Sequence, residues 1–521
     1  MRYLFALTLL ISPISRFPGF FFLVSPAKSA VFSLTLGTWY FLRRRKLANT
    51  WPFSVVRAFS GASSGASIVT SSGAATPAGA GHAKPPLPSQ RWLELLFVIL
   101  ALWICITSVL SSAPISNGIN SLLAHLTVFA FFFAFLEHVT SDEREPWWLV
   151  RIFLLIAAGI GSLAILQYVV MQFGVMRFLT DLIIPKLDRD LLLGPDAIPL
   201  PSWGYRSWGP FHHPNMLGLY LALAFPVALV MPFAEKQRRF KIFAAAAALL
   251  IFGGIFSSGS RGSWLNIAVA SSVLLLPVIR RLPQFVSRVL AKVFPKSVSK
   301  GWLLAPVGGL AVVGVVFHQQ IWQLLFQYFR LNSILSNREI IWQNSWTMVK
   351  ENPIFGTGPG TFSRLYLDRF DFPSEIERGT AMRELASFGE IHLMDHWHAH
   401  NLYLHSAAEM GLLGAFLVVM MFVVYFREFF RDALRRGLRI GSLGSHGLLA
   451  WGCSAAILGN LVHGLTETTL NFSYPSLGVP FIFIFALGFG AMQQGRSMEQ
   501  ASSAQQASGA QQVTSMQQGR D

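Results

Sequence analysis

NMLGLYLALAFPVALVMPF, residues 215–233, is an apolar run that decides the fold class of this chain. It contains no acidic or basic side chain, and an α-helix of about 20 such residues crosses a hydrocarbon core roughly 30 Å thick. Similar runs recur along the sequence, and none of them alternates in hydropathy as the strands of a membrane barrel do. The sequence therefore predicts an all-α polytopic membrane protein.

The composition excludes a soluble globular protein. The chain has 521 residues, of which 53% are hydrophobic and 13% are charged, whereas soluble domains carry about 25% charged residues. The net charge of +16 does not indicate a nucleic-acid partner, because Lys and Arg fall mainly in short segments between apolar runs. Cys105 and Cys453 both lie inside apolar runs, so we interpret them as small packing residues.

We predict about twelve transmembrane helices. The first two are the least regular, because Pro13, Arg16 and Pro18 interrupt one and the other is short. Residues 1–30 also fit a signal peptide that ends in a small-residue cleavage region. The candidate spans are 3–24, 29–42, 92–112, 119–136, 147–173, 213–233, 240–258, 263–280, 301–320, 401–426, 445–465 and 474–494.

Spans and low-complexity segments divide the chain into six parts. Segments rich in Gly, Ala, Ser and Pro, or in Gln, Ser and Ala, lack the apolar content to pack a core. In chain order we predict N-terminal membrane segments (1–45), a flexible cytoplasmic linker (46–91), a transmembrane core (92–320), a periplasmic loop with amphipathic helices (321–400), C-terminal transmembrane helices (401–494) and a disordered cytoplasmic tail (495–521).

The basic segments predict which ends of the helices face the cytoplasm. Residues 43–46, 235–241, 280–300 and 426–439 carry most of the basic side chains. They fall on one side if every candidate span crosses once, and the positive-inside rule makes that side the cytoplasm. The outward segments are then about 174–212, the turn near Ser260, 321–400 and 466–473.

Two outward arginines are candidates for binding an anion. Arg261 lies in the turn SSGSRGSW (257–264) at a predicted helix start, where a guanidinium and free backbone N–H groups suit phosphate oxygens. Its alternative role is an interfacial anchor that reaches toward lipid phosphates. Arg338 opens the amphipathic stretch 338–353, which ends at Pro353 before the predicted turn GTGPG (356–360). The apolar face that we predict for this stretch consists of Ile340, Ile341, Trp342, Trp346 and Val349. Arg338 is either a solvated loop residue or the second half of a diphosphate clamp.

A histidine-rich stretch, HWHAHNLYLHSAAEMGLLG (396–414), is the candidate catalytic centre. Imidazole titrates near neutral pH, so His400 at the mouth of a helix suits a general base, with Asn401 or Glu409 fixing its tautomer. His398 remains a second candidate for the base. The HxHxH pattern from His396 to His400, with Asp395, keeps a metal site as an alternative, although no partner Cys or HExxH pattern lies nearby.

The segment GPFHHPNMLGLYLALAFP (209–226) repeats this arrangement. His213 and Asn215 precede an apolar helix, and Pro214 suits the first turn of that helix. We expect His213 and Asn215 to line the same outward pocket.

These motifs, in this order, resemble the O-antigen ligase and polymerase superfamily of bacterial envelope proteins. The resemblance covers about residues 90–494, and its motifs are GPFHHPNMLGLYLALAFP, SRGSW, Arg338 followed by IIW, NPIFGTGPGTF and HAHNLYLHSAAEMGLLG. It implies a GT-C-like protein of the inner membrane with a large periplasmic loop before the last three helices.

The resemblance also implies a reaction. Such proteins move a glycan from undecaprenyl pyrophosphate to an acceptor hydroxyl, for example on lipid A core, without a cofactor or an obligatory metal. His400 would be the base, and Arg261 and Arg338 would hold the pyrophosphate. A single displacement of this kind inverts the anomeric centre. The acceptor stays open between lipid A core, a second lipid-linked repeat unit and a protein.

A glycan transporter is the alternative from another class. A transporter would carry ionisable residues at mid-helix depth and discontinuous helices in paired halves. In this sequence the polar groups gather at one predicted face, and Glu94 and His125 are isolated exceptions.

Overall fold

Helices dominate the computed structural model. It describes residues 1–13, 31–32, 34–39, 88–111, 115–142, 144–172, 199–200, 204–211, 213–279, 338–369, 398–435, 440–468 and 475–518. The helices are α1 (Arg2–Ile11), α2 (Pro88–Leu110), α3 (Ile115–Ser141), α4 (Glu145–Gln172), α5 (Pro214–Ala234), α6 (Arg238–Ser258), α7 (Arg261–Ile279), α8 (Arg338–Glu351), α9 (Phe362–Arg369), α10 (Leu402–Arg435), α11 (Ile440–His463) and α12 (Pro475–Gln518).

Seven helices in the described ranges are long and apolar enough to cross a membrane, which indicates a multi-pass membrane protein. They are α2, α3, α4, α5, α6, α10 and α12. Each corresponds to a predicted span. The predicted spans 263–280 and 445–465 are helical as α7 and α11. The predicted span 301–320 lies outside the described residues, and the predicted count of twelve stays a prediction.

The centre of the bundle is formed by α5, which packs against α6, α7 and α11. Its sequence is apolar on all sides, as expected of a helix buried in the middle of a bundle. Its N-terminus carries His213 and Asn215, and a short antiparallel pair of strands, β1 (Pro199–Leu200) and β2 (Gly204–Tyr205), precedes it. The first turn of α5 is therefore held close to the other helix ends described below.

Helix α10 begins beside the end of α11. The Leu402 amide donates to the Gly464 carbonyl at 2.7 Å, and the Tyr403 hydroxyl donates to the Leu461 carbonyl at 3.0 Å. These two bonds bring the loop before α10 and the loop after α11 together. They join parts of the chain that are about sixty residues apart.

A break in α10 receives the GTGPG turn. Gly411 has φ 71° and ψ 176°, so the helix is interrupted there. The carbonyls of Ala408 and Glu409 accept hydrogen bonds from the amides of Thr357 (2.8 Å) and Gly358 (2.9 Å). The Leu412 amide donates to the Pro353 carbonyl at 2.9 Å. The loop thus replaces the hydrogen bonds that the helix loses at its break.

The amphipathic helix predicted at 338–353 forms as α8, but its buried face differs in part from the predicted one. The buried residues are Ile341, Ser345, Met348 and Val349. Ile340 and Trp346, which we assigned to the same face, are exposed. The stripe follows the spacing i, i+4, i+7, i+8 against α10, and the two exposed residues lie outside that register.

The boundary that we predicted between α12 and the tail is also corrected. Instead of ending near residue 494, α12 runs on to Gln518, so most of the segment predicted to be disordered, 495–521, is helical. Ala, Gln, Met and Glu in this segment are good helix formers, and it contains no Pro. High polarity alone was therefore an insufficient basis for predicting disorder.

Candidate active site

The carboxylate of Glu467 is the centre of the candidate site. It follows the last residue of α11, His463, by four residues, and its side chain is 8% exposed. Its Oε1 accepts a hydrogen bond from the Thr468 amide at 3.3 Å and lies 2.8 Å from His400 Nδ1. Its Oε2 accepts from Asn215 Nδ2 at 3.1 Å and from Arg338 Nη2 at 3.3 Å. Four segments of the chain therefore meet at one carboxylate.

These contacts keep Glu467 ionised. Burial by itself would raise the pKa of this carboxyl, but His400 first, and then His398 and Arg338, hold it well below its ordinary value of 4.5. A buried carboxylate needs charge-assisted donors on both oxygens to offset its desolvation. Glu467 has them, so it acts as a fixed negative charge.

His400 is oriented by Glu467. Because the carboxylate only accepts, the 2.8 Å contact assigns the proton to Nδ1 of His400, which leaves the lone pair on Nε2. No hydrogen bond to this Nε2 is found within the described ranges, and the side chain is 25% exposed. The backbone of His400 has φ 46°, a left-handed conformation that is uncommon for a residue with a side chain. The ring is thus held with its basic nitrogen free for a substrate.

His398 lies directly behind His400, with the ring centroids 4.3 Å apart. Its Nδ1 accepts from the His400 amide at 3.2 Å, and its Nε2 lies 3.5 Å from Glu467 Oε1. Burial, then the neighbouring His400, holds the pKa of His398 well below its ordinary value of 6.5. Both nitrogens are engaged, so His398 supports the loop and its ring is less available than that of His400.

Asn401 and Glu409 do not hold His400 in the way that we predicted. Asn401 caps α10, because its Oδ1 accepts from the amides of Tyr403 and Leu404, both at 3.0 Å. Glu409 accepts from the Phe362 amide at 3.2 Å and lies 3.6 Å from His405 Nε2. Each stabilises the start of α10 or the loop on it, and Glu467 is the residue that orients His400.

Arg338 lies at the start of α8 and reaches the site directly. Its guanidinium contacts Glu467 Oε2 through one nitrogen, at 3.3 Å, and the side chain is 20% exposed. One long contact leaves other N–H donors of the fork for a ligand. Arg338 can therefore bind Glu467 and an anion in turn.

Arg261 opens α7, as the sequence predicts, and its helix start lies beside the same centre. Ser260 caps the helix, since its Oγ accepts from the Ser263 amide at 3.4 Å. The next residue, Gly262, packs so closely on the His463 ring that a Cβ would overlap it. His463 ends α11, four residues before Glu467. Arg261 thus lies on the helix turn that packs on α11 next to the site.

His213 and Asn215 belong to the N-terminus of α5. His213 caps the helix, with its Nδ1 accepting from the Asn215 amide at 3.1 Å. The Asn215 side chain donates to Glu467 and accepts from Arg206 Nη2 at 2.6 Å. Both residues therefore lie at the site, and Asn215 contacts its central carboxylate directly.

Three side chains of the site could hold a metal ion. His398, His400 and Glu467 each offer a ligand atom, and these atoms lie within 4.8 Å of one another. Two imidazoles and a carboxylate suit Zn²⁺, but the ion would take the lone pairs of nitrogens that now point their hydrogens at Glu467. His396 and Asp395, which we considered as ligands, lie outside the described residues.

The sequence analysis missed Glu467 and Arg206. Glu467 is 67 residues from His400, and its loop TETTLNFS carries no motif. The available signal was topological, because that loop belongs to the same predicted face as the other candidates. Arg206 gave a similar signal in the loop before HHPN, where a basic residue at the outward side departs from the positive-inside pattern.

Comparison with known proteins shows which family this chain resembles. Residues 245–419 match the O-antigen ligase family model. This stretch of the chain is therefore similar to O-antigen ligases, and the match confirms the resemblance that the motifs predicted. The matched stretch holds Arg261, Arg338, His398, His400, Asn401 and Glu409.

A curated relative supports this resemblance to the superfamily of envelope ligases and polymerases. The chain is 23% identical over 258 residues to the exopolysaccharide production protein ExoQ of Rhizobium meliloti. The match covers 47% of this chain and 54% of that protein, so the chain spans about half the length of the curated relative. Glu467, Asn215 and Arg206 lie outside the stretch that defines the ligase domain, yet they build the site together with residues inside it.

Proposed function

We propose that this protein transfers a glycan from undecaprenyl pyrophosphate to an acceptor hydroxyl at the periplasmic face of the inner membrane. The observation that carries the proposal is the 2.8 Å contact between His400 Nδ1 and Glu467, which leaves Nε2 as a base. An oriented histidine and carboxylate pair is the usual device for removing a proton from a hydroxyl. The resemblance to the superfamily supplies the donor class.

The reaction is a single displacement. His400 Nε2 takes the proton of the acceptor hydroxyl while that oxygen attacks the anomeric carbon of the donor. The bond from the anomeric carbon to the pyrophosphate oxygen breaks, and its electron pair leaves with the lipid pyrophosphate. The anomeric configuration inverts, because attack and departure occur on opposite faces of the sugar. Glu467 stabilises the imidazolium that forms.

The leaving group gains negative charge as the bond breaks, and the site offers cations for it. Arg338 has donors beyond its one contact with Glu467, and Arg261 lies at the start of α7, where backbone N–H groups add to its charge. Donors aimed at charge that develops in the transition state lower the barrier more than donors aimed at the ground state. This arrangement supplies stabilisation that other transferases obtain from a metal ion.

A polymerase of the same superfamily is the second candidate. The name of the relative in Rhizobium meliloti refers to exopolysaccharide production. In a polymerase the acceptor is a second lipid-linked repeat unit, whereas in a ligase it is lipid A core or a similar hydroxyl. The base and the arginines act in the same way in both, so only the acceptor separates the two functions.

The test is a transfer assay with purified protein and undecaprenyl-pyrophosphate-linked glycan, in the presence of a chelator. Lipid A core and a second lipid-linked repeat unit are supplied as separate acceptors. We expect His400→Ala, Arg261→Ala and Arg338→Ala to lose transfer. His446→Ala and Arg151→Gln are matched controls near the opposite helix ends, where the His446 ring contacts the Trp147 ring edge-on and Arg151 pairs with Glu235.

Each outcome decides between alternatives. The productive acceptor distinguishes a ligase from a polymerase, and the configuration of the product tests inversion. Full activity in His400→Ala would contradict the role of His400, and loss of transfer with the chelator would make the histidine cluster a metal site. Movement of the glycan across the membrane without a new glycosidic bond would identify a transporter.

A further inference from the structure

A chain of hydrogen bonds leads from the bundle to Glu467 through two residues that have no role in the proposed reaction. Arg206 is buried, and its Nε donates to the Ser258 carbonyl at 2.8 Å. Its Nη2 donates to Asn215 Oδ1 at 2.6 Å, and Asn215 Nδ2 donates to Glu467 Oε2 at 3.1 Å. The direction of every bond follows from Arg206 being a donor only and Glu467 an acceptor only.

Arg206, at the start of this hydrogen-bond network, is held in place by the bonds of its neighbour Ser207. Next to Arg206, the Ser207 amide donates to the Ser257 carbonyl at 2.9 Å, and the Ser207 hydroxyl donates to the Ala164 carbonyl at 2.8 Å. Arg206 is thereby tied to both α4 and the end of α6. A guanidinium held in this way fixes the amide of Asn215 with its NH₂ group toward Glu467.

The amide of Asn215 is the group that this position requires. An aspartate would place a second negative charge against Glu467, and a leucine would remove both the acceptor of Arg206 Nη2 and one donor to Glu467 Oε2. The side-chain amide of Asn215 offers an acceptor to the guanidinium and a donor to the carboxylate at once.

The behaviour of Arg338 explains why this network of hydrogen bonds is needed. Arg338 is the other donor to Oε2, and in the proposed reaction its guanidinium turns to the pyrophosphate. Oε2 then keeps only Asn215 among the side-chain donors found in the described residues. We propose that Arg206 and Asn215 are positioning residues that hold Glu467, and through it the tautomer of His400, while Arg338 is engaged with the donor. This inference rests on the proposed function.

The charged surroundings of the pair must be considered before its pH dependence is tested. Several titratable or charged groups face Glu467 and His400 from the elements packed around them. They are His398 on the same loop, His213 before α5, Arg338 on α8, His405 on α10 and His463 at the end of α11. All of them are present in every variant below, so differences between variants report on Asn215 and Arg206.

The decisive variant is Asn215→Asp, measured as the pH dependence of kcat/KM for transfer. A second carboxylate beside Glu467 stabilises the protonated His400, so the acid limb of the profile moves to higher pH by on the order of one unit. Activity recovers toward the wild-type level at high pH. Arg206→Gln in the Asn215→Asp background moves the limb further, because it removes the cation that partly neutralises the aspartate.

Asn344→Asp is the control, since Asn344 donates to Tyr366 on the same outward loop without touching the site. An Asn215→Asp profile that is lowered at every pH without a shift would overturn the inference, because that is the signature of a structural defect alone. The inference also has a readout besides transfer. The pH titration of the His400 ring, followed by NMR with histidine-selective labelling and assigned with His400→Gln, shifts in the same direction.

If no acceptor supports transfer in the wild type, the proposed function fails, whereas the His400 titration still decides the inference. If the wild type transfers and neither the profile nor the titration moves in Asn215→Asp, only the inference fails.

Discussion

A single residue, Glu467, combines three tasks. It fixes the tautomer of His400, it holds Arg338 near the site, and it fastens the loop after α11 to the first turn of α5. All three depend on the negative charge of the carboxylate. Replacing Glu467 with a neutral residue of the same shape therefore tests the contribution of the charge alone.

Glu467→Gln should lower kcat for transfer by about 10²-fold or more, the range typical of losing an oriented general base. The amide keeps the shape of the side chain, but it cannot stabilise an imidazolium. Steady-state transfer rates at several pH values measure the effect. Glu235→Gln, which removes a buried carboxylate from the Arg151 pair at the opposite helix ends, should leave kcat unchanged.

Acid should destabilise the protein in two stages. The pKa of His398 is depressed by burial, so below its ordinary value of 6.5 the unfolded chain binds a proton that the folded chain refuses, and stability falls. Glu467 is depressed as well, so its contribution is present above its ordinary value of 4.5 and is lost as the pH falls below that. Thermal unfolding against pH, in detergent, measures both stages.

His398→Asn should weaken the first stage and Glu467→Gln the second. Identical pH curves for wild type and both variants would show that neither group is linked to folding.

Glu467 and Arg206 show why the site could be predicted only in part. Local motifs made His400, Arg261 and Arg338 candidates, because each lies in a segment with its own signal, and their roles stay predictions. The partner of His400 comes from a loop 67 residues away, and nothing in a single sequence links the two. Asn401 and Glu409 were the neighbours at hand, and both turned out to stabilise α10 itself.

At the scale of elements, the joint between the GTGPG turn and the break in α10 fixes the loop after α8 to α10. Gly356 and Gly411 both have positive φ, and a Cβ on either would meet the backbone of the other segment. The hydropathy pattern predicted α10 well, because its residues remain apolar through the break. It could not predict the break, since a lone Gly inside an apolar run fits a continuous helix equally.

Gly411→Ala should undock the turn. It combines a left-handed backbone, which costs about 1–2 kcal/mol for a residue with a Cβ, with overlap onto the Ile354 carbonyl. We expect a lower Tm, faster proteolysis between residues 352 and 361, and loss of transfer.

Gly444→Ala is the matched control, because Gly444 has φ 60° but open space around its missing Cβ. Gly444→Ala should therefore lower the free energy of unfolding only by the cost of placing a residue with a Cβ at positive φ. Equal losses in the two variants would mean that the turn does not depend on the joint.

At the scale of the whole molecule, the described residues place a polar centre at each end of α10. The candidate site lies at the start of α10, and the second centre lies about 40 Å along it, from a rise of roughly 1.5 Å per residue. There Arg496 of α12 pairs with Glu428 (2.9 Å) and Asp432 (3.2 Å), both of them buried. One centre suits chemistry, and the other fastens α12 to α10.

Arg496→Met should destabilise the protein by about 3 kcal/mol, because it removes the cation that lies between two buried carboxylates, although Glu428 keeps Arg431 at 3.3 Å. KM for the donor should stay unchanged, since the site is a helix length away. Thermal unfolding and transfer kinetics on the same preparation measure both. A changed KM with an unchanged Tm would argue against this division of roles.

The bonds from Glu467 to Asn215, Arg338 and His400 have a consequence for biosynthesis. The ribosome makes the base and the arginines long before it makes the carboxylate that orients them, which follows His400 by 67 residues and Asn215 by 252. A nascent chain in the membrane therefore carries an unaligned imidazole until α11 and the loop after it have been inserted. Under the proposed function, a nascent chain that has not reached Glu467 should stay inactive toward lipid-linked sugars.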